Sequence, residues 1–231
     1  MRRLVIAIDG PAGSGKSSTA RLVAKTLGYR YLDTGAMYRA VALKMLERGI
    51  EPNDSKAIEE LLRDVRIEQK EEGGKTLIFL DGRDVSDAIR TPEISLWVGP
   101  VSENPTVRQF LVALQREMGK KGGVVVEGRD IGTVVFPDAQ LKIYLTADLN
   151  ERARRRLRDL SAQGVGQTED EVRQALAQRD ERDSTRQHSP LQRVPDAVVV
   201  DTTDLTLEQQ VEKIVDFARQ REKSQKSKKD S

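Results

Sequence analysis

Gly10-Pro11-Ala12-Gly13-Ser14-Gly15-Lys16-Ser17 fits the pattern G-x-x-x-x-G-K-[ST], followed by Ser18. In that spacing the glycines let successive backbone N–H groups curl around an anion, and the N-terminus of a following helix adds partial positive charge. Lys16 then reaches the β- and γ-phosphates, and the Ser17 hydroxyl ligates Mg²⁺. The alternative dinucleotide fingerprint G-x-G-x-x-G fails, because Ser18 stands where the third glycine belongs. The segment Gly10, Pro11, Ala12, Gly13, Ser14, Gly15, Lys16, Ser17, Ser18 is therefore expected to bind the phosphates of a nucleotide.

Further groups suited to phosphate chemistry recur along the chain. Asp33-Thr34-Gly35 turns directly into a helical pattern carrying Arg39, so Thr34 and Arg39 are expected to face a second ligand rather than to form half of an aspartic protease site. Arg108 stands near the start of a helix opened by Asn104-Pro105. Gly128-Arg129-Asp130 follows the apolar run Val124-Val125-Val126, and ligands in open α/β sheets bind beyond the carboxyl ends of strands. Arg152, Arg155 and Arg156 share one helical face, and with Arg154, Arg158, Gly164 and Gly166 suggest a mobile cationic cover over phosphates. Arg179, Asp183 and Arg186 form a single stripe on the next helix. His188, the only histidine, reads as a helix-end residue.

The elements that must position these groups alternate in type. Leu4–Ile8, Tyr29–Leu32, Val124–Val126, Leu141–Leu145 and Ala197–Val200 read as strands, that of Val124–Val126 buried, with helices between them. Residues 47–100 break the alternation. Asp54 or Ser55 caps a helix through Leu62, and Val65–Lys70 with Lys75–Leu80 alternate around Gly73-Gly74, as an antiparallel insert does. Thr168 with Glu171, and Thr206 with Gln209, mark two later helix starts.

The chain has 231 residues and no cysteine, which excludes disulfides and thiolate metal sites and suits a reducing cytoplasm. No stretch approaches the ~20 apolar residues of a membrane span. The net charge of +2 conceals an uneven distribution: residues 219–231 carry +4 and the remainder −2. The terminal Lys, Ser and Gln content reads as a solvated, disordered basic tail over 223–231.

The phosphate loop, Asp33–Arg39, the run Gly128-Arg129-Asp130-Ile131-Gly132-Thr133-Val134-Val135-Phe136-Pro137, and Arg179-Asp180-Glu181-Arg182-Asp183 together resemble bacterial cytidylate kinases over about residues 3–222. The resemblance implies an α/β fold: a P-loop NTPase-type parallel sheet flanked by helices, an enlarged antiparallel monophosphate-binding insert and a small arginine-rich lid. It divides residues 1–222 into a core (about 1–46, 101–147 and 168–222), an insert (47–100) and a lid (148–167). It further implies that Arg39, Arg129 and Arg186 hold the CMP phosphate, that Asp183 with Arg179 meets the ribose, and that Arg108 and Asp130 read the cytosine edge. Arg152, Arg155 and Arg156 would belong to the lid over ATP, with Lys16, Arg129, Arg152, Arg156 and Arg179 as the catalytic set. One residue departs from the pattern: Gly99 stands where the family commonly has a serine near the cytosine amino group.

The implied reaction passes the γ-phosphoryl group of ATP to CMP or dCMP with Mg²⁺, by in-line positioning and charge cancellation. Rival readings are a UMP or AMP kinase, a GTPase switch (which lacks its Asn-Lys-x-Asp here) and a nucleic-acid-stimulated ATPase using the tail. A monomer is expected, with small-molecule substrates and neither nucleic acid nor membrane as partner.

Overall fold

Val5-Ile6-Ala7-Ile8-Asp9 forms strand β1 (Val5–Asp9), buried along its whole length, as a strand in a parallel sheet covered on both faces must be. A computed structural model describes residues 3–162 and 164–227. The chain divides into two compact units, residues 1–31 with 121–231, and Leu32–Lys120.

In the first unit β1 lies between β6 (Val124–Gly128) and β7 (Leu141–Thr146), all parallel. The full order is β2-β6-β1-β7-β8, with β2 (Arg30–Asp33) and β8 (Val198–Asp201) at the edges. The registers set Asp9 beside both Gly128 and Tyr144, and Thr146 beside Asp201, so four strands end along one edge. Ile6, Ile8, Val125, Ile143 and Leu145 form the core with Ala20 and Val23 of α1 (Lys16–Leu27) and Ile214 and Ala218 of α8 (Leu207–Ser227). Helix α1 begins at Gly15 and stops at Gly28, both left-handed. Helices α6 (Leu149–Ala162) and α7 (Glu169–Thr185) pack around a smaller core of Ala153, Leu160, Val172 and Leu176. Thr168 and Glu171 form the reciprocal capping box expected at the start of α7.

The second unit contains α2 (Thr34–Glu47), α3 (Ser55–Leu62), an antiparallel sheet of β3 (Ile67–Glu72), β4 (Lys75–Leu80) and β5 (Arg83–Asp84), then α4 (Pro92–Glu103) and α5 (Pro105–Gly119). Gly73 and Gly74 have φ of 57° and 76°, and Asp81 and Gly82 have 52° and 81°. Positive φ at both central residues is what tight hairpin turns demand, so both turns follow from local composition. Asp54 caps α3 through the Ala57 N–H, a contact worth about 1 kcal/mol. Buried Met37, Val41, Met45, Ile58, Ile78, Leu80, Ile94 and Leu111 form this unit's core.

Three findings depart from the residue pattern. Helix α4 was not legible, because Gly99 and Pro100 interrupt it; Thr91 caps it through the Ile94 N–H and Pro92 occupies its first turn. The second compact unit is wider than the 47–100 insert, since α2 and α5 both pack on α4. The tail expected to be disordered from 223 is helical through Ser227, because no glycine or proline halts α8 and Lys and Gln are good helix formers. Residues 228–231 lie outside the described residues. No described helix is long and apolar enough to cross a membrane.

Candidate active site

The phosphate loop leaves β1 at the shared strand edge. Gly10 has φ 152°, and a Cβ there would lie 2.0 Å from the Leu145 carbonyl oxygen, so only glycine lets the loop pass over β7. Lys16 is buried, with Nζ donating to the Pro11 carbonyl at 2.5 Å and to Ser14 Oγ at 3.3 Å. Burial pushes its pKa well below the usual lysine value, Arg129 and Arg179 push the same way, and Glu127 and Asp183 oppose them. An anion at the loop would relieve that strain on the charged form. Thr202 Oγ1 donates to the Ser14 carbonyl, and Thr19 Oγ1 donates to Gln210 Oε1 at 2.7 Å, so β8 and α8 brace the loop from behind. Ser17 and Ser18 are exposed on the first turn of α1.

Asp9 ends β1 immediately before the loop. Its carboxylate accepts from the Ile131 and Gly132 N–H groups at 2.8 and 2.7 Å, drawing the turn after Gly128-Arg129-Asp130 onto the strand end. Burial nevertheless outweighs those bonds and raises its pKa to about 6, with Asp130 adding to the rise. Arg129 Nε donates to Asp183 Oδ2 at 2.7 Å, Arg179 lies 4.0 Å from the same oxygen, and Arg186 Nη2 lies 3.9 Å from Asp130 Oδ1. Arg186 also donates to the Ser189 carbonyl. The stripe on α7 is thus brought to the loop after β6. Burial alone would raise the Asp183 pKa, yet Arg129, Arg179 and Arg186 hold it below the usual carboxylate value.

The three arginines of α6 are placed differently from one another. Arg152 is buried, donating through Nε to the Ala147 carbonyl and through Nη1 to the Ala12 carbonyl and to Asp180. Arg155 is tied to Glu151 and to Thr202. Arg156 is exposed. Two of the three cations expected in a mobile cover are thus anchored to the strand edge.

In the second unit Asp33 caps α2 through the Ala36 N–H, and Gln69 exchanges two hydrogen bonds with the Asp33 backbone, holding buried Thr34 at the first helical position. Arg39 donates to Ser95 Oγ and the Ile89 carbonyl. Arg108 is buried, donates to the Ser102 carbonyl, and lies 5.8 Å above the Tyr38 ring. Ser102 Oγ donates to the Gly99 carbonyl.

The model of the family described as cytidylate kinase matches residues 6–220. The chain belongs to the cytidylate kinase family. The cytidylate kinase of Carboxydothermus hydrogenoformans is 51% identical over 214 residues, covering 92% of this chain and 96% of that one. That of Geobacter sulfurreducens is 46% identical over 223 residues, 96% of each. A solved structure, of an uncharacterized protein from Eubacterium ventriosum, matches with a TM-score of 0.53 at 12% identity, covering 94% of this chain and 99% of that one; it speaks for the fold alone.

In this member of the cytidylate kinase family, residue patterns missed Asp9, Glu127, Asp180, Thr202 and Gln210. Asp9 and Glu127 carried a signal: each is an acid at the end of a fully apolar strand, and both are buried. Glu127 accepts from the Tyr31 hydroxyl. Asp180 showed only as a member of the Arg179–Asp183 run, and Thr202 and Gln210 carried none, because their partners are distant in sequence.

Proposed function

We propose the following division of labour for the reaction of this chain, in which the γ-phosphoryl group of ATP passes to CMP or dCMP, giving ADP and CDP or dCDP. The observation that carries it is the shared strand edge, where the phosphate loop after Asp9 stands beside Gly128-Arg129-Asp130. Residues Gly10 to Ser18 take the ATP phosphates. Lys16, Arg129, Arg152, Arg156 and Arg179 cancel the charge that spreads over the transferring group; losing one such preorganised donor costs about 10²–10³ in kcat. Arg39, Arg129 and Arg186 take the CMP phosphate, Asp183 with Arg179 meets the ribose, Arg108 and Asp130 take the base, and Thr34 completes the CMP-binding set. The acceptor oxygen is already anionic, so no general base is required, which suits a chain with one histidine and no cysteine.

Mg²⁺ fits this donor set. Among the described residues no group of three or more acidic or histidine side chains could hold a metal, whereas Mg²⁺ arriving on phosphates needs only one or two protein oxygens. The Ser17 hydroxyl, a hard oxygen exposed on the first turn of α1, supplies one. When bound, the ion neutralises the β- and γ-phosphate oxygens. We further propose that the protein acts in the cytoplasm as a monomer, with nucleotides rather than nucleic acid or membrane as partners.

A coupled assay of ADP formation with CMP, dCMP, UMP and AMP tests the assignment. CMP or dCMP should exceed UMP and AMP in kcat/KM by at least about tenfold. Equal or better use of UMP or AMP would overturn the base-reading roles of Arg108 and Asp130.

A further inference from the structure

Asp180 has no part in the proposed division of labour, yet it touches the phosphate loop. Its Oδ1 accepts from the Ala12 N–H at 3.3 Å, and its Oδ2 accepts from Arg152 Nη1 at 2.5 Å. The same Nη1 donates to the Ala12 carbonyl at 3.0 Å, so both polar groups of residue 12 are held by one ion pair. Apolar packing reinforces the link: the Ala12 methyl is buried in the small core of Ala153, Leu160, Val172 and Leu176 between α6 and α7. A Cβ at Gly13 would lie 3.3 Å from Arg152 Cβ, so the loop lies close against α6.

We propose that Asp180 is a positioning residue for phosphoryl transfer, fixing the Arg152 guanidinium and the tip of the phosphate loop in one arrangement. This rests on the assignment of Arg152 to the transferring phosphoryl group. Two of the three Arg152 nitrogens are taken: Nε holds the Ala147 carbonyl and Nη1 holds Asp180 and Ala12, while Nη2 makes no hydrogen bond among the described residues. A planar fork anchored at two of its nitrogens presents the third in a set direction, which a flexible cation would not. The charge of Asp180 matters as well as its shape. Both of its oxygens face donors, and a carboxylate alone can accept on both sides; an amide must turn its NH₂ toward one of them. Asp180 also adjoins Arg179 and precedes Asp183, so α7 serves the phosphate loop through one residue and Arg129 through another.

The test is a mutant cycle on the full chain with ATP and CMP: Arg152→Ala, Asp180→Asn and the double variant. Rates are normalised to the active fraction from calorimetric CMP stoichiometry. Asp180→Asn should lower kcat at least about tenfold while KM for CMP moves less than about twofold. In the Arg152→Ala background, Asp180→Asn should change kcat by less than about twofold, because the group it positions is gone. Asp180→Glu, with the charge on a longer stem, should retain at least about three times the kcat of Asp180→Asn, as a charge-assisted hydrogen bond predicts. Independent, multiplying effects in the double variant would overturn the coupling while leaving the Arg152 assignment intact. Wild-type kcat in Arg152→Ala would remove Arg152 from the chemistry and the proposal with it. Asp180→Asn with wild-type kcat, or as active as Asp180→Glu, would also overturn it.

Discussion

Arg129 Nε donates to Asp183 Oδ2 at 2.7 Å, joining the loop after β6 to the α7 stripe, with the two side chains only 18% and 14% exposed. Removing one partner of a buried pair leaves the other uncompensated, at a cost of about 3–5 kcal/mol. The Asp183 pKa is lowered, so its contribution is present above the ordinary carboxylate value of 3.8 and is lost as pH falls through the lowered one. Asp183→Asn should therefore lower Tm at pH 7 and reduce kcat/KM for CMP at least about tenfold, with KM for ATP within about twofold. A variant with unchanged CMP kinetics would reduce Asp183 to a structural counter-ion.

In the proposed assignment Lys16 stands on charge that grows toward the transition state. Lys16→Ala should lower kcat by about 10²–10³ or more while CMP binding survives. Its depressed pKa adds a pH signature: kcat/KM for ATP should fall on the alkaline side with a midpoint below the ordinary lysine value of 10.5. Retention of wild-type kcat in the alanine variant would take the lysine out of the mechanism.

Asp130 is buried with Arg186 Nη2 3.9 Å from its Oδ1, and the proposed assignment gives it the cytosine edge. An ionised carboxylate suits the amino group at C4 of cytosine and repels the carbonyl of uracil. An unmatched pair of that kind costs about 1–3 kcal/mol, and Gly99 offers no side-chain hydroxyl to share the task. Asp130→Asn should narrow the CMP/UMP ratio in kcat/KM at least about tenfold. Assaying both substrates on both proteins decides it: an unchanged ratio would mean that cytosine is read elsewhere.

Asp9 should give the protein an unusual pH profile. Its pKa rises on folding from 3.8 to about 6, so between those values the native state binds more protons than the unfolded chain, and stability falls as pH rises. The shift corresponds to about 3 kcal/mol at most. The stability of the wild type relative to Asp9→Asn should therefore decline from about pH 4 to pH 6 and level off above it. Urea titrations across that range check it, and parallel profiles for the two proteins would show that Asp9 does not titrate there.

Much of the second unit was legible because its devices act over a few residues. Gly73-Gly74 and Asp81-Gly82 allow the positive φ of tight turns, and Asp54 reaches an amide three residues on. Helix α4 was not, because Gly99 and Pro100 read as breakers while packing against α2 and α5 sustains the helix.

The same division runs through the site. By itself the order of residues determined the phosphate loop, the flanking strand and helix, and the cations available, because glycine conformation, apolar periodicity and helix caps are local. Only the tertiary structure decided which charges meet. Arg152 and Asp180 are 28 positions apart, and Arg129 and Asp183 are 54 apart. Spacing makes Arg152 one of five similar arginines on α6; burial under the phosphate loop, where an unpaired guanidinium would be costly, is what binds it to Asp180 and sets it apart from exposed Arg156.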